Sequence, residues 1–347
     1  MMKAAVKVDE QKRFVIQEVP IPKIGPNEAL VKVSATGLCG SDIAIKNNTF
    51  MGRHGPVKLP IIPGHEFSGE VVEVGAGVRD VKVGDRVTSS CLWGCRECRA
   101  CKTRILNRCR NWVHVGIDVD GSFAEYIAVD ADILFKVPDF ITDEQAAIIE
   151  PATTGVRAVR TNHIKPGSFI AMLGPGPFGL FIMQAMATTS PKRLVMIGFS
   201  SDKERLELAK ELGATDVIEA DKVDPVEAIN EMTKGDGADV VVEATGDVNA
   251  VTQAMEMAGA GGLVLMGGSG FGGKSVSFKP WNVVRDEKML KGLQGFEWAD
   301  YLMLLDLVQA GKIKFDPLIS SVQPLETVNE ACELVEAKKA YKIVLRP

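Results

Sequence analysis

Residues 168–187 read "SFIAMLGPGPFGLFIMQAMA", and this stretch decides the fold. Its length of about twenty residues would suffice for a membrane helix. Three glycines and two prolines inside "GPGPFG" fit a strand, a sharp turn and a buried helix better. Gly174-x-Gly176-x-x-Gly179 then stands between strand and helix, with Pro177 and Phe178 inside the motif. That is the context in which such a motif binds a dinucleotide. Gly174 makes the tight turn, Gly176 lets the backbone approach a pyrophosphate, and Gly179 permits close helix–strand packing. The helix N-terminus adds partial positive charge. The alternative is a glycine-rich turn selected for packing alone.

Downstream, strands alternate with helices of about ten residues, the pattern of a doubly wound α/β sheet. "RLVMIGF", "TDVIEA", "ADVVVEATG" and "GGLVLMGG" are the strands, and "SDKERLELAKELG", "DPVEAINEMT" and "VNAVTQAMEMAG" are the helices. The apolar run in "DVVVEA" suits a parallel strand covered on both faces. After about residue 290 come helix "WADYLMLLDLVQAG", a loop with "DPLIS", helix "LETVNEACELVEAKK" and a last strand "KIVLRP". Upstream, residues 1–90 hold short β-branched segments between Gly, Pro, Asn and Asp turns, and "GSFAEYIAV" resumes them at 121–129. This predicts an irregular antiparallel barrel. "TDEQAAIIE" at 142–150 is a short helix, with Thr142 and Gln145 spaced as a capping box. A chain of 347 residues has room for two domains.

A dinucleotide fold that takes NAD usually carries an acidic residue at the end of its second strand, for the adenosine ribose. Here that zone is Gly198, Phe199, Ser200 and Ser201, and Asp202 lies further out, where it caps a helix. Without the carboxylate a 2'-phosphate is not repelled, and Ser200, Ser201, Lys203 or Arg205 could contact it. The balance tilts slightly toward NADP, with NAD left open. Thr245 in "EATG" and Gly267 in "VLMGG" complete the expected cofactor contacts.

Five of the seven cysteines fall within 91–109, the others being Cys39 and Cys332. An odd, clustered set is a poor disulfide framework and a good metal site. Cys95, Cys98, Cys101 and Cys109 can surround a tetrahedral zinc with no open position, a structural site. An iron–sulfur cluster is the competing reading, but no proline follows the distal cysteine. Cys91 is a spare thiol nearby. The arginines and lysines around this lobe offset the thiolates, and a nucleic-acid contact is the minor alternative.

Cys39 in "GLCGSD" and His65–Glu66 in "PGHEFSGE" offer a second, S/N/O donor set. Zinc held by three residues with an open position acts as a Lewis acid on an alcohol or carbonyl oxygen. Glu150 in "IIEPATTGV" is a second carboxylate, either ligating directly or holding the metal-bound water. The plain alternatives are a satisfied turn histidine for His65 and a helix-terminal charge for Glu150.

Forty basic and forty-five acidic side chains leave a net charge of −5, which does not suggest bulk nucleic-acid or anionic-membrane binding. The charged N-terminus "MMKAAVKVDEQKRFVIQEVP" has no apolar core of a signal peptide. A soluble, cytoplasmic protein is expected.

Taken together, "GLCGSD", "GHEFSGEVVEVGAGV", "VGDRV", the cysteine lobe, "GPGPFG" and "RLELAKELGA" resemble the zinc-dependent medium-chain dehydrogenase/reductase family over almost the whole chain. The resemblance implies a GroES-like β-barrel catalytic domain plus a Rossmann domain. It assigns roughly 1–152 and 290–347 to the former and 153–289 to the latter. The Cys/His/Glu set with Glu150–Pro151 looks like the polyol and threonine dehydrogenase branch. By that likeness Cys39, His65 and Glu66 carry the catalytic zinc, Glu150 is water partner or alternate ligand, and Ser41 takes the alcohol proton. The histidine that often follows two places after the motif aspartate is replaced by Ala44.

The implied activity is NAD(P)-linked interconversion of a secondary alcohol and its ketone, with a polyol or cyclic polyol leading and a threonine-type amino alcohol second. In the loop "NNTFMGRHGPVKLP", Asn47, Asn48 and Arg53 are candidates for substrate hydroxyls. The family likeness further implies a homo-oligomer, a tetramer ahead of a dimer. A zinc-stapled dinucleotide-binding protein without turnover is the non-enzymatic alternative, with Ala44 as its support.

Overall fold

The computed structural model describes all residues except His54, Ser269 and Gly272. The chain divides into two compact units, one of Met1–Glu150, Gly295–Glu297 and Phe315–Pro347, the other of Pro151–Gln294 and Trp298–Lys314. Residues 290–294 and 298–314 thus group with the second unit, whereas the family resemblance assigns roughly 290–347 to the first. The helix Trp298–Gln309 explains much of this. Its buried Asp300 accepts from Arg157 Nη1 at 2.8 Å and Arg160 Nε at 2.5 Å, both in the second unit.

In the first unit, the strands run in the order Leu134–Lys136, Arg86–Ser89, Glu66–Val74, Glu28–Gly37, Lys342–Arg346, Ile319–Pro324, and Tyr126–Asp130 also pairs with Glu28–Gly37. Neighbours are antiparallel except the last two strands, which are parallel. Val31, Phe67, Val71, Val87, Ile127 and Val129 turn into one core. Residues 319–324 read locally as loop, with Pro317 before them and Pro324 at their end. They form a strand because Lys342–Arg346 supplies its ladder, and their alternating burial is that of a half-covered edge. The helix Asp143–Ala147 starts as expected, since Thr142 Oγ1 accepts from Gln145 N and Gln145 Oε1 from Thr142 N, both at 3.2 Å. Glu150 sits in the first turn of the next helix, Ile149–Arg160.

The second unit is a six-stranded parallel sheet: Phe169–Leu173, Arg193–Gly198, Asp216–Glu219, Ala238–Glu243, Ala258–Met266 and Met289–Gly292. Counted in chain order, its strands lie 3-2-1-4-5-6, the doubly wound arrangement. The first strand is buried along its whole length, as a strand covered on both faces must be. Among the described residues, no helix is long and apolar enough to cross a membrane.

Between the first strand and the helix Pro177–Ala187 the glycine turn takes its shape from close approaches. Gly174 has φ +103°, a region that L side chains rarely enter. A Cβ at Gly179 would lie 2.0 Å from Gly174 O, so the helix can meet the turn only without a side chain there. Gly179→Ala is expected to destabilise the protein by about 1–3 kcal/mol, the usual cost of overpacking. Chemical denaturation followed by circular dichroism measures this, and an unchanged midpoint would show that the contact can relax freely.

Candidate metal and dinucleotide sites

Three side chains of the first unit converge on one point: ligand atoms of Cys39, His65 and Glu66 lie within 4.8 Å of one another. Cys39 caps the short helix Gly40–Lys46, and Glu66 opens the strand Glu66–Val74, where it pairs with Gly37. Two buried groups lock these segments together. Asp42 accepts from Cys39 N at 2.9 Å and Gly64 N at 3.2 Å, and its Oδ1 lies 3.8 Å from His65 Nδ1. Lys342 Nζ donates to both Glu66 oxygens, at 2.5 and 2.6 Å, and to Leu38 O at 3.2 Å. One carboxylate and one ammonium therefore each hold the cysteine-bearing and histidine–glutamate segments at a fixed separation.

The cluster is built for a cation. Burial by itself would lower the pKa of His65, but the negative charges of Cys39, Asp42 and Glu66 outweigh it and hold the imidazole at about 10. Burial likewise works against the Lys342 ammonium, yet Glu66 and Cys39 keep its pKa above the usual value. Burial raises the carboxyls of Asp42 and Glu150. A mixed thiol, imidazole and carboxylate set suits zinc, and three such donors leave a coordination position open.

Glu150 is outside the group of three. Its Oε1 accepts from Cys91 Sγ at 3.3 Å, and Cys91 is buried with its thiol pKa pushed well up by burial. Ser41 Oγ is buried without a hydrogen-bond partner. Ala44 lies on the same short helix, half-buried.

Sequence patterning missed His114, whose ring meets His65 edge-on with centroids 5.0 Å apart. Burial first, and then the charge on His65, lower its pKa to about 3, so it is a neutral imidazole, with Nδ1 2.7 Å from Val115 O. It stands alone in "NWVHVG", and only the fold brings it to the cluster. Asn47, Asn48 and Arg53 are engaged elsewhere. Asn47 Nδ2 donates to Glu336 Oε1 at 2.5 Å and Asn48 Nδ2 to Glu10 O at 2.6 Å. Arg53 Nη1 donates to Cys109 O at 3.0 Å, with its guanidinium 5.3 Å above the Trp112 ring. His54 of that loop lies outside the described residues.

The second cluster joins Cys95, Cys98, Cys101 and Cys109, again within 4.8 Å. Backbone N–H groups point at the sulfurs: Cys95 N and Asn111 N both lie 3.3 Å from Cys109 Sγ. The amide of Glu97 lowers the pKa of Cys95, that of Cys101 lowers Cys98, and burial raises Cys101. Four thiol ligands, with no other donor in the group among the described residues, make a closed, structural type of site. Arg96 pairs with Asp130 at 2.6 Å and Asp132 at 3.3 Å, which turns one of the lobe's cations inward to the protein.

In the second unit the residues expected at a dinucleotide gather around the glycine turn. A Cβ on Gly174 would meet Thr245 Cγ2 at 2.8 Å, one on Gly198 would meet Pro175 Cγ at 2.8 Å, and one on Gly267 would meet Phe178 Cε1 at 2.8 Å. Among the described residues, a Cβ on Gly176 would meet nothing within 4 Å, so the helix N-terminus presents bare backbone to open space. Ser200 and Ser201 follow the second strand in a single 3-10 turn, and Lys203 and Arg205 open the helix Lys203–Glu211. Sequence reading also missed Glu243, which is buried at the end of the fourth strand. Its Oε1 accepts from Thr245 N at 2.6 Å and Gly246 N at 2.8 Å, and its carbonyl accepts from Gly267 N at 2.8 Å. It thereby ties together the turns after the fourth and fifth strands.

Comparison with known proteins agrees with this fold and these clusters. Residues 25–139 match the alcohol dehydrogenase GroES-like domain, and residues 179–310 the zinc-binding dehydrogenase domain. The chain is 34% identical to a sorbitol dehydrogenase of Halalkalibacterium halodurans, with 100% of this chain and 99% of that protein covered. It is 33% identical to an L-threonine 3-dehydrogenase of Bacillus licheniformis, again with 100% and 99% covered. The crystal structure of 2R,3R-butanediol dehydrogenase from Bacillus subtilis superposes with a TM-score of 0.85 at 31% identity, covering 100% of both chains. The chain belongs to the zinc-dependent medium-chain dehydrogenase/reductase family, close to its polyol and threonine dehydrogenase branch. It is a zinc-binding, NAD(P)-dependent oxidoreductase acting on a small hydroxylated compound.

Two outcomes follow for the metal clusters. Zinc content, measured by atomic emission, should fall by about half in Cys39→Ser and by about half in Cys109→Ser, with a marked loss of thermal stability expected only in the second, because a closed four-cysteine site contributes folding energy. Zinc must also displace the proton that the anionic cluster holds on His65, so affinity should rise with pH, by about tenfold per unit for each proton released. Competition against a chelator between pH 6 and 8 measures this slope, and a flat profile would show His65 to be deprotonated before metal arrives.

Proposed function

We propose that the protein interconverts a secondary alcohol of a polyol or cyclic polyol and the corresponding ketone, using the nicotinamide cofactor as hydride partner. The carrying observation is the Cys39–His65–Glu66 cluster beside Ser41, whose buried hydroxyl has no partner among the described residues. When bound, zinc supplies Lewis acidity toward the alcohol oxygen, and the nicotinamide supplies the hydride acceptor. Cys39, His65 and Glu66 would hold the metal. Glu150, restrained by Cys91, would face the site from outside the ligand set and orient water or a substrate hydroxyl.

Ser41 takes the proton from the substrate hydroxyl during oxidation and returns it during reduction. Because Ala44 replaces the usual outer histidine, the proton leaves Ser41 through water. Lys342 restrains Glu66 by binding both its oxygens and keeps this buried carboxylate from carrying an uncompensated charge. The glycine turn with Pro177 and Phe178, together with Gly198, Thr245 and Gly267, would hold the dinucleotide.

Glu66 and Glu150 make the surroundings of the site acidic, which favours a substrate rich in hydroxyl groups over a plain alkyl alcohol. Likeness to a sorbitol dehydrogenase and a butanediol dehydrogenase supports a polyol substrate. Likeness to L-threonine 3-dehydrogenases supports the amino-alcohol reading as the second choice.

Appearance of reduced nicotinamide, followed by its absorbance across polyols, vicinal diols and threonine, tests this. Turnover is expected with one polyol or diol class, abolished in Cys39→Ala and reduced about 10²–10⁴-fold in kcat by Ser41→Ala, the usual contribution of a general base. A higher kcat/KM for threonine than for every polyol would replace the polyol reading by the amino-alcohol one.

A further inference from the structure

The carboxylate that recognises the adenosine ribose in a dinucleotide fold ordinarily ends the second strand. Here that strand stops at Gly198, followed by Phe199 and Ser200. The acid nearest in sequence is turned away: Asp202 is buried, and its Oδ2 accepts from Phe199 N at 3.1 Å. A carboxylate nevertheless meets the end of the second strand. The third strand runs parallel to the second with Glu219 in register with Gly198, so the residues just past both C-terminal ends meet. Two positions beyond Glu219, Asp221 accepts from Ser200 N at 2.6 Å through Oδ1 and from the Ser200 hydroxyl through Oδ2.

We propose that Asp221 is the ribose-recognising carboxylate of this chain, delivered from the third strand and aimed by Ser200, and that it makes NAD the preferred cofactor. This rests on the glycine turn being the dinucleotide site. The Asp221 side chain is exposed, and the hydrogen bonds from Ser200, hydroxyl first and then amide, hold its carboxyl below the usual range, so it carries full charge at neutral pH. A carboxylate accepts about four hydrogen bonds, and Ser200 uses two, which leaves acceptors for ribose hydroxyls. A 2'-phosphate, with a charge of about −1.5 to −2, would be placed against that anion. The nearest cation in sequence, Lys222, is paired with Glu219 and does not neutralise it fully. The tilt toward NADP drawn from the missing acid on the second strand is thus reversed, because the acid comes from the strand alongside.

The test is direct binding of NADH and of NADPH to the zinc-loaded protein by calorimetry, for wild type, Asp221→Asn and Asp221→Ala. Wild type should bind NADH at least about tenfold tighter than NADPH, since like charges brought together are costly. Asp221→Asn keeps the shape, removes the charge, and should gain NADPH affinity by a similar factor. Asp221→Ala should lose NADH affinity while its melting temperature stays unchanged, as expected for an exposed side chain. Equal or tighter binding of NADPH by wild type overturns the inference, as does an unchanged NADH/NADPH ratio in Asp221→Asn. Binding of neither dinucleotide by the folded protein overturns the dinucleotide site itself, and the inference with it.

Discussion

Buried negative charge around Cys39 governs the first unit. Asp42 and Glu66 are almost inaccessible to water, and burial, helped by the charge on Glu66, raises the carboxyl of Glu150. Burying a carboxylate without a partner costs several kcal/mol, so a group of them can persist only if cations and amides are brought in to face them. Lys342 and the amides of Cys39 and Gly64 meet part of that demand, and a cation held by Cys39, His65 and Glu66 would meet the rest. The affinity for a cation is a consequence of the fold before it is a feature of the chemistry.

That constraint also explains why the sheet of the first unit draws on distant parts of the sequence. Lys342 reaches Glu66 because its strand is laid beside Glu28–Gly37, which in turn pairs Gly37 with Glu66. The same ladder carries Leu38, and hence Cys39, to the cluster. In the second unit the corresponding organiser is Glu243, whose side chain and carbonyl together fix two turns around the glycine motif. Both units place a buried acid where backbone turns would otherwise be free to move.

Much of this could be read in the sequence because local patterns carried it. The glycine motif after "SFIAML", the alternation of strand and helix, the two cysteine spacings and the Thr142–Gln145 box are each legible within a few residues. What could not be read depends on partners far away in the chain. The strand Ile319–Pro324 exists only through its ladder with Lys342–Arg346. His114, Cys91 and Lys342 have no motif of their own, and their meaning lies in the side chains they meet. The carboxylate that meets the end of the second strand comes from the third, and no local pattern ties Asp221 to Ser200, 21 residues earlier.

The pairing of Glu66 with a lysine 276 residues further along has a bearing on how the molecule is made. Proteins are synthesised from the N-terminus, and domains fold as units as they emerge. The cysteine, histidine and glutamate appear early, whereas their counter-charge arrives only after the whole parallel-sheet unit has been translated. Until that strand arrives, burying Glu66 would leave its charge without a partner, which is costly, so its burial is expected to follow rather than precede the last strand. The strand that carries Gly37 to Glu66 can pair early, but the ammonium that faces Glu66 is present only once the last strand has been translated.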